Sequence, residues 1–122
     1  MSQKWEGSER AALTRAGETS EVVLAAFTGV PWCGPCTSLE QEVFPTWTFL
    51  SWALGKVVLW NINDSSQGSG APPECAKYAV SGYPSVLGLD AQGNELGRVL
   101  GYTSGTGAQL WIDSFESAIG WT

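Results

Sequence analysis

The chain has 122 residues, a length typical of one domain whose core is large enough to fold without disulfide staples. With 6 basic against 12 acidic residues and a net charge of -6, it lacks the clustered Lys and Arg that nucleic acids and anionic membranes require, so we expect no nucleic-acid partner. Three cysteines are too few for a disulfide framework, and no apolar run is long enough for membrane insertion.

The first predicted element is an amphipathic helix from Lys4 to Gly17. Its apolar residues recur at helical spacing on one face, and Gly17 is a typical helix terminator. That face consists of Trp5, Ala12, Leu13 and Ala16. We expect this N-terminal segment, residues 1–20, to cover a sheet built by residues 21–122.

A reactive cysteine pair follows the first predicted strand. The apolar run Glu21 to Phe27 has strand length, and apolar residues at helical spacing follow Cys36, so Cys33 is predicted where a buried strand gives way to a helix. The first N–H groups of a helix lack intrahelical partners and carry partial positive charge, which stabilises a thiolate there. Cys36 lies one turn later, a spacing that suits a reversible disulfide.

The two residues between the cysteines fit this position. Gly34 lets a substrate approach the backbone closely, and Pro35 is tolerated because a first-turn residue has no intrahelical N–H bond to lose. A CxxC pair can also be half of a zinc site, but the chain offers no histidine and one further cysteine, Cys75. We therefore expect no metal.

The segment Trp32 to Cys36, WCGPC, is identical to the active-site motif of thioredoxin. Its surroundings, FTG two residues before WC and Glu40 four residues after Cys36, resemble the branch of the thioredoxin-like family that includes the C-terminal domain of the bacterial transmembrane reductase DsbD and small secreted relatives. The similarity runs from about Glu21 to the C-terminus. It implies a single α/β domain with the thioredoxin fold: a central mixed sheet of four to five strands flanked by helices, in which a βαβ unit precedes a β-hairpin and a C-terminal helix.

The middle of the chain contains residues that break or end helices and strands. Pro45 predicts a break after the motif helix, later in the chain than the kinking proline of thioredoxin. The elements predicted beyond it are a short helix from Trp47 to Leu54 closed at Gly55, a buried parallel strand from Lys56 to Asn63, a flexible loop from Asp64 to Pro73 and a short helix from Pro73 to Val80.

The segment Val80 to Val86 resembles the thioredoxin loop in which a cis-proline faces the CxxC pair across the substrate groove. The resemblance implies a cis bond between Tyr83 and Pro84, since X-Pro bonds are cis in only about 5–6% of cases otherwise. The rest of the chain matches the terminal hairpin and helix of the family. These elements are strands from Ser85 to Leu89 and from Glu95 to Leu100, and a helix from Gly107 to Ile119 that docks through Leu110, Ile112, Phe115 and Ile119.

The resemblance implies thiol–disulfide exchange with disulfide-containing or dithiol proteins. In this interpretation Cys33 attacks as a thiolate and Cys36 resolves the mixed disulfide. We expect the reductase direction, an upstream thiol reductant or reductase, a monomer, and no cofactor beyond the redox-active disulfide. The supporting residues are Trp32, Gly34, Pro35, Glu40, Tyr83 and Pro84.

Two alternatives stay open for this function. Within the same chemistry, the protein could be a disulfide oxidant or an isomerase. Outside it, a thioredoxin scaffold could serve as a non-catalytic binding module whose seven tryptophans hold a partner, although most of them are predicted to pack in the core. Cys75 is predicted to be a small buried residue rather than a third redox centre.

One departure from the family concerns proton transfer. Thioredoxin and the DsbD domain carry a buried Asp six residues before the first cysteine, a position that Phe27 occupies here. Glu40 lies one helical turn after Cys36 and is either a substitute proton acceptor or a solvated carboxylate. No Lys or Arg lies between Glu21 and Lys56, so the helix terminus and backbone N–H groups are the obvious stabilisers of the thiolate.

The compartment is open on sequence grounds. The first ten residues lack the apolar core of a secretory signal, so the sequence as given carries no export signal. A cleaved signal replaced by a methionine would leave the same N-terminus, and much of the resembling branch works outside the cytoplasm. We expect a soluble protein of bacterial type, either periplasmic or otherwise extracytoplasmic with its signal removed, or cytoplasmic.

Overall fold

Five strands form one mixed sheet in the part of the chain that the computed structural model describes, residues 4–67 and 69–121. The strands are β1 (Trp5–Glu6), β2 (Val22–Thr28), β3 (Val57–Asn63), β4 (Ser85–Leu89) and β5 (Glu95–Leu100). Their order is β1-β3-β2-β4-β5, with β1, β3 and β2 parallel and β4 antiparallel to both β2 and β5. The predicted thioredoxin fold, a βαβ unit followed by a hairpin, is therefore confirmed.

Helices cover both faces of this sheet. They are α1 (Glu9–Thr19), α2 (Gly34–Glu42), α3 (Trp47–Ala53), α4 (Pro73–Lys77) and α5 (Ala108–Ile119). One apolar cluster joins α2, α3 and α5 to the sheet, and a second joins α1 and α4 to the opposite face. Since β2 lies at the centre, Leu24 packs into the first cluster and Val23 into the second. Burial on both faces explains why this strand is an unbroken apolar run.

Most of the tryptophans whose side chains the structure describes pack in the core, as predicted. Trp60 lies in the cluster under α1 and α4, while Trp111 stacks on Phe115 in the other cluster with 5.5 Å between ring centroids. Such an aromatic pair contributes about 0.5–1.5 kcal/mol beyond its buried area. Two tryptophans differ: Trp47 is 82% exposed on α3, and Trp32 is 36% exposed beside the cysteine pair.

The prediction of a first helix from Lys4 to Gly17 is wrong at both ends. Trp5 belongs to β1, which pairs with β3, so its backbone bonds a strand rather than a helical turn. The helix begins at Glu9 because the Ser8 hydroxyl caps it, and it continues through Gly17 to Thr19. Sequence periodicity cannot reveal a two-residue strand whose partner lies some fifty residues away.

Two predicted details of the later helices also need correction. α4 ends at Lys77 rather than Val80, and Ala79 just beyond it takes a left-handed φ of 55°. In α5, Leu110 is 62% exposed whereas Trp111 is 2% exposed, because the larger indole fills the space between this helix and the aromatic cluster. The other docking residues of α5 are buried as predicted, namely Ile112, Phe115 and Ile119.

Candidate active site

The cysteine pair lies where β2 gives way to α2, as the sequence predicts. Cys33 is the N-cap of α2 and Cys36 lies in its first turn; they form a disulfide with 5.2 Å between their Cα atoms. Cys33 is 8% exposed, while Cys36 is completely buried. The Cys33 sulfur is therefore the one that a partner can reach first.

Backbone N–H groups surround both sulfur atoms. The Cys36 N–H donates to Cys33 Sγ at 3.2 Å, and the Gly29 N–H donates to Cys36 Sγ at 3.4 Å. These donors, together with the partial positive charge of the helix N-terminus, favour a thiolate in the reduced protein. The predicted role of the helix terminus thus has a matching geometry.

Asn63, at the end of β3, holds the turn before Cys33. Its Oδ1 accepts from the Val30 N–H at 2.8 Å, and its Nδ2 donates to the Val30 carbonyl at 3.1 Å. The Val30–Pro31 peptide in this turn is cis, which the sequence analysis does not predict. A Cβ at Gly29 in the same turn would lie 2.4 Å from the Trp32 ring, so any larger residue there would displace the indole.

The Tyr83–Pro84 loop faces the cysteine pair. The Tyr83–Pro84 peptide is cis, and the Tyr83 carbonyl oxygen lies 3.8 Å from Cys33 Sγ. The Tyr83 ring meets the Trp32 ring edge to face, with 5.8 Å between centroids. The structure therefore brings these predicted site residues together, although they lie fifty positions apart in the sequence.

Asp64 is a site neighbour that the sequence analysis misses, since it assigns this residue to a flexible loop. Asp64 is 2% exposed, and its backbone carbonyl accepts from Trp32 Nε1 at 2.7 Å. Its carboxylate accepts from the Ser66 hydroxyl, from the Ser66 N–H and from the Tyr83 hydroxyl. The Ser66 hydroxyl does most to hold the pKa of Asp64 below its ordinary value, against the opposing effect of burial. A carboxylate directly after a buried strand is the signal that could have found it; Gly68, in the same predicted loop, lies outside the described residues.

Cys75 closes the same region. A cavity of about 380 Å³ beside the disulfide is lined by Trp32, Cys33, Asp64, Cys75 and Tyr83 among others. Cys75 is a free thiol, 7% exposed, and its Sγ lies 3.3 Å from the Tyr83 hydroxyl. The buried position agrees with the prediction, but Cys75 is a neighbour of the site and not remote from it.

Because Cys75 is buried and engaged by Tyr83, we expect it to react slowly with alkylating agents. In the folded, reduced protein, a pulse of iodoacetamide should label Cys33 rapidly and Cys75 slowly, as read by mass spectrometry of the digested chain. Protein unfolded in guanidinium supplies the control, in which all three cysteines become accessible. Rapid labelling of native Cys75, or a native disulfide that includes it, would contradict this expectation.

The proton acceptor of the family is replaced by an apolar residue. Phe27 is completely buried and packs against the rings of Trp60 and Tyr78, so no carboxylate occupies this position on β2. Glu40 lies half-buried on α2, and burial raises the pKa of its carboxyl group. A raised pKa agrees with the hypothesis of a proton acceptor but does not by itself assign that role.

A second carboxylate on α2 holds the loop after β5. Glu42 accepts hydrogen bonds from the Tyr102 hydroxyl at 2.7 Å, the Ser104 hydroxyl at 2.9 Å and the Gly105 N–H at 2.8 Å. The bond from Tyr102 is the largest of the effects that lower the pKa of Glu42. Glu42 is thus occupied in joining two elements, which leaves Glu40 as the α2 carboxylate available for proton transfer.

Between residues 4 and 121, Gly68 aside, no helix is long and apolar enough to cross a membrane. In the same residues, no group of three or more His, Cys, Asp or Glu side chains is arranged to hold a metal ion.

Comparison with known proteins agrees with this geometry. The family model described as "Thioredoxin-like domain" matches residues 10–115. The disulfide bond reductase DsbH of Chlamydia pneumoniae is 27% identical over 124 residues, which cover 95% of this chain and 72% of that protein.

Solved structures share the fold. The structure titled "DsbH Oxidoreductase" matches with a TM-score of 0.82 at 23% identity, covering 100% of this chain and 88% of that one. The oxidised C-terminal domain of Neisseria meningitidis DsbD matches with a TM-score of 0.68 at 18% identity, covering 90% and 91% of the two chains.

The fold, the cysteine pair and the relatives all indicate the same reaction. The protein is a thiol–disulfide oxidoreductase with a CxxC pair, and its partners are proteins that carry disulfides or dithiols. The family model matches residues 10–115, which are most of the chain. The chain therefore belongs to the thioredoxin-like domain family.

Proposed function

We propose that this protein is a reductase of protein disulfides in which Cys33 is the nucleophile and Cys36 the resolving thiol. The Cys33 thiolate attacks one sulfur of the substrate disulfide, the S–S bond breaks, and the other substrate sulfur leaves as a thiolate. Cys36 then loses its proton and attacks Cys33 Sγ, which releases the second substrate thiolate. Two electrons have passed to the substrate, and the Cys33–Cys36 disulfide remains.

The assignment of the two cysteines rests on their exposure. Cys33 lies at the surface end of α2 beside an open cavity, whereas Cys36 is completely buried behind it. A protein disulfide can therefore approach Cys33 but cannot approach Cys36. Gly34 and Pro35, both exposed, leave the approach to Cys33 free of large side chains.

The observation that carries the reductase direction is the charge around Cys33. The cavity beside it is lined by the carboxylate-bearing Asp64 and by no Lys or Arg. Among the described residues that line this cavity, no cation adds to the stabilisation of a Cys33 thiolate by N–H groups and the helix terminus. Each unit by which a thiolate pKa is lowered favours the reduced form by about 1.4 kcal/mol, or about 30 mV. Weak stabilisation of the thiolate makes the reduced protein the better electron donor.

This argument predicts a reducing potential. After equilibration with mixtures of reduced and oxidised glutathione, the fraction of Cys33–Cys36 disulfide should give a potential nearer to about −270 mV, as in thioredoxin, than to about −120 mV, as in the oxidant DsbA. Trapping with a thiol reagent and mass spectrometry measures that fraction. A potential above about −180 mV would contradict the reductase direction and favour the alternative of an oxidant or isomerase.

The proposal also covers the redox-active group, the source of electrons and the compartment. The redox-active group is the cysteine pair itself, and an upstream thiol reductant or reductase would return it to the dithiol after each cycle. The DsbH relative, named a disulfide bond reductase, supports the same direction. Similarity to a branch with secreted members favours a protein that works outside the cytoplasm, and we propose that it does so as a monomer.

A further inference from the structure

One residue contacts both aromatic side chains that flank Cys33. Trp32 Nε1 donates to the Asp64 carbonyl oxygen at 2.7 Å, and the Tyr83 hydroxyl donates to Asp64 Oδ2 at 2.9 Å. The two rings also contact each other edge to face. Asp64 thus joins the two rings next to the reactive sulfur, Trp32 through its backbone carbonyl and Tyr83 through its carboxylate.

Asp64 is itself firmly anchored. It directly follows β3, and its backbone N–H donates to the Thr28 carbonyl at the end of β2 at 2.8 Å. Its second carboxylate oxygen is occupied by the N–H and hydroxyl of Ser66. A side chain held from both its backbone and its far oxygen has little freedom, so a group bonded to it is held in turn.

The hydrogen bonds around Tyr83 run in one direction. An ionised carboxylate can only accept hydrogen bonds, so the Tyr83 hydroxyl must donate its hydrogen to Asp64. The phenol oxygen is then an acceptor, and Cys75, whose Sγ lies 3.3 Å away, must supply the S–H. The resulting chain runs from Cys75 through Tyr83 to Asp64 and fixes the ring from both sides.

The position of the Tyr83 ring matters for its backbone. Its carbonyl oxygen lies 3.8 Å from Cys33 Sγ, at the place where an attacked disulfide must fit. A ring that is free to turn would allow this segment and the Trp32 indole to move apart. Protein substrates cover the groove, so this movement would weaken their binding. A small disulfide needs only Cys33 and would be affected less.

We propose that Asp64 is a positioning residue for the exchange reaction: through Tyr83 and Trp32 it holds the two walls of the groove in which a protein disulfide meets Cys33. The proposal rests on the attack by Cys33 proposed above. It adds a residue that acts on substrate binding and leaves the sulfur chemistry itself unchanged.

The test uses Tyr83→Phe, Asp64→Ala and the double variant in the full chain, because alanine, unlike asparagine, leaves no group that could bond the Tyr83 hydroxyl. Tyr78→Phe is the matched control, since the Tyr78 hydroxyl also bonds a carboxylate, Glu9, but Tyr78 is not among the residues that line the cavity beside Cys33. The reduced proteins are assayed with insulin as a protein disulfide and with dithiobis(nitrobenzoate) as a small one. We expect each single change to raise KM for insulin about fivefold to tenfold, the loss of one hydrogen bond, with kcat and the small-disulfide rate retained.

The double variant should be no worse than either single one, because both changes remove the same link. Tyr78→Phe should leave both substrates unaffected. Additive losses, an unchanged KM, or equal losses with both disulfides would overturn the proposal.

A second measurement does not depend on turnover. The Trp32 indole N–H resonance, assigned by its absence in Trp32→Phe, should shift in Tyr83→Phe and Asp64→Ala but not in Tyr78→Phe. A resonance that stays in place overturns the positioning role even if the wild-type protein is inactive towards insulin. Wild-type inactivity together with a shifted resonance would instead count against the reductase function and leave Asp64 as the residue that holds Trp32.

Discussion

Replacing Cys33 with serine is expected to abolish the reduction of insulin by this protein in the presence of dithiothreitol. The serine hydroxyl is far less acidic than a thiol and cannot form the mixed disulfide, so turnover should fall to the background rate of dithiothreitol alone. The precipitation of reduced insulin chains, followed by turbidity, measures the rate. Because Cys33 lies at the N-terminus of α2 and is the more exposed of the two cysteines, we expect its replacement to remove all of the activity.

The same substitution at Cys36 provides the matched comparison. Cys36→Ser retains the attacking sulfur but loses the resolving one, so it should accumulate a covalent complex with insulin chains that mass spectrometry detects and excess thiol releases. Thermal unfolding of both variants controls for misfolding. If Cys33→Ser retains activity, the assignment of the nucleophile fails. If wild-type protein shows no rate above background, the binding-module alternative gains support.

Replacing Glu40 with glutamine is expected to slow the second step and leave the first nearly unchanged. Attack by Cys33 needs no proton acceptor once its thiolate exists, whereas Cys36 is completely buried and must lose its proton during resolution. Phe27 stands in place of the family's aspartate, and Glu40, half-buried one helical turn after Cys36 on α2, is our candidate for accepting this proton. General-base assistance sets an upper expectation of about a hundredfold on the loss.

The raised pKa of Glu40 determines the direction in which the rate of resolution changes with pH. Burial raises the pKa of Glu40 above its ordinary value, so the ionised form that can accept a proton is lost as the pH falls through this raised pKa. Resolution by the wild-type protein should therefore slow as the pH is lowered through that raised pKa, and the Glu40→Gln protein should lack this step in its profile. Stopped-flow measurement of both steps across pH tests the expectation.

Glu18→Gln, at an exposed carboxylate on α1, is the control for a general loss of negative charge. It should leave the rates of both steps as they are in the wild type. Equal resolution rates for wild type and Glu40→Gln at every pH would show that Glu40 is a solvated surface carboxylate. Cys36 would then pass its proton to water or to the departing sulfur.

Local patterns in the sequence determined much of this protein. The apolar run before Cys33 and the helical spacing after Cys36 place the thiol at a strand-to-helix junction, and the structure confirms it. The strand Ser85 to Leu89 and its partner from Glu95 to Leu100 are found with the predicted bounds. Such features follow from residues within a few positions of one another, where periodicity and turn chemistry act directly.

The tertiary structure alone decided how the site is lined and which faces are buried. Asp64 looks like the start of a polar loop in the sequence, yet it is buried because it meets Trp32 and Tyr83, which lie 32 and 19 positions away. Trp111 displaces Leu110 from the docking face of α5 because the aromatic cluster on the sheet has room for an indole ring. Hydrogen bonds and packing between distant segments depend on how the elements come together in space, and no local pattern encodes that arrangement.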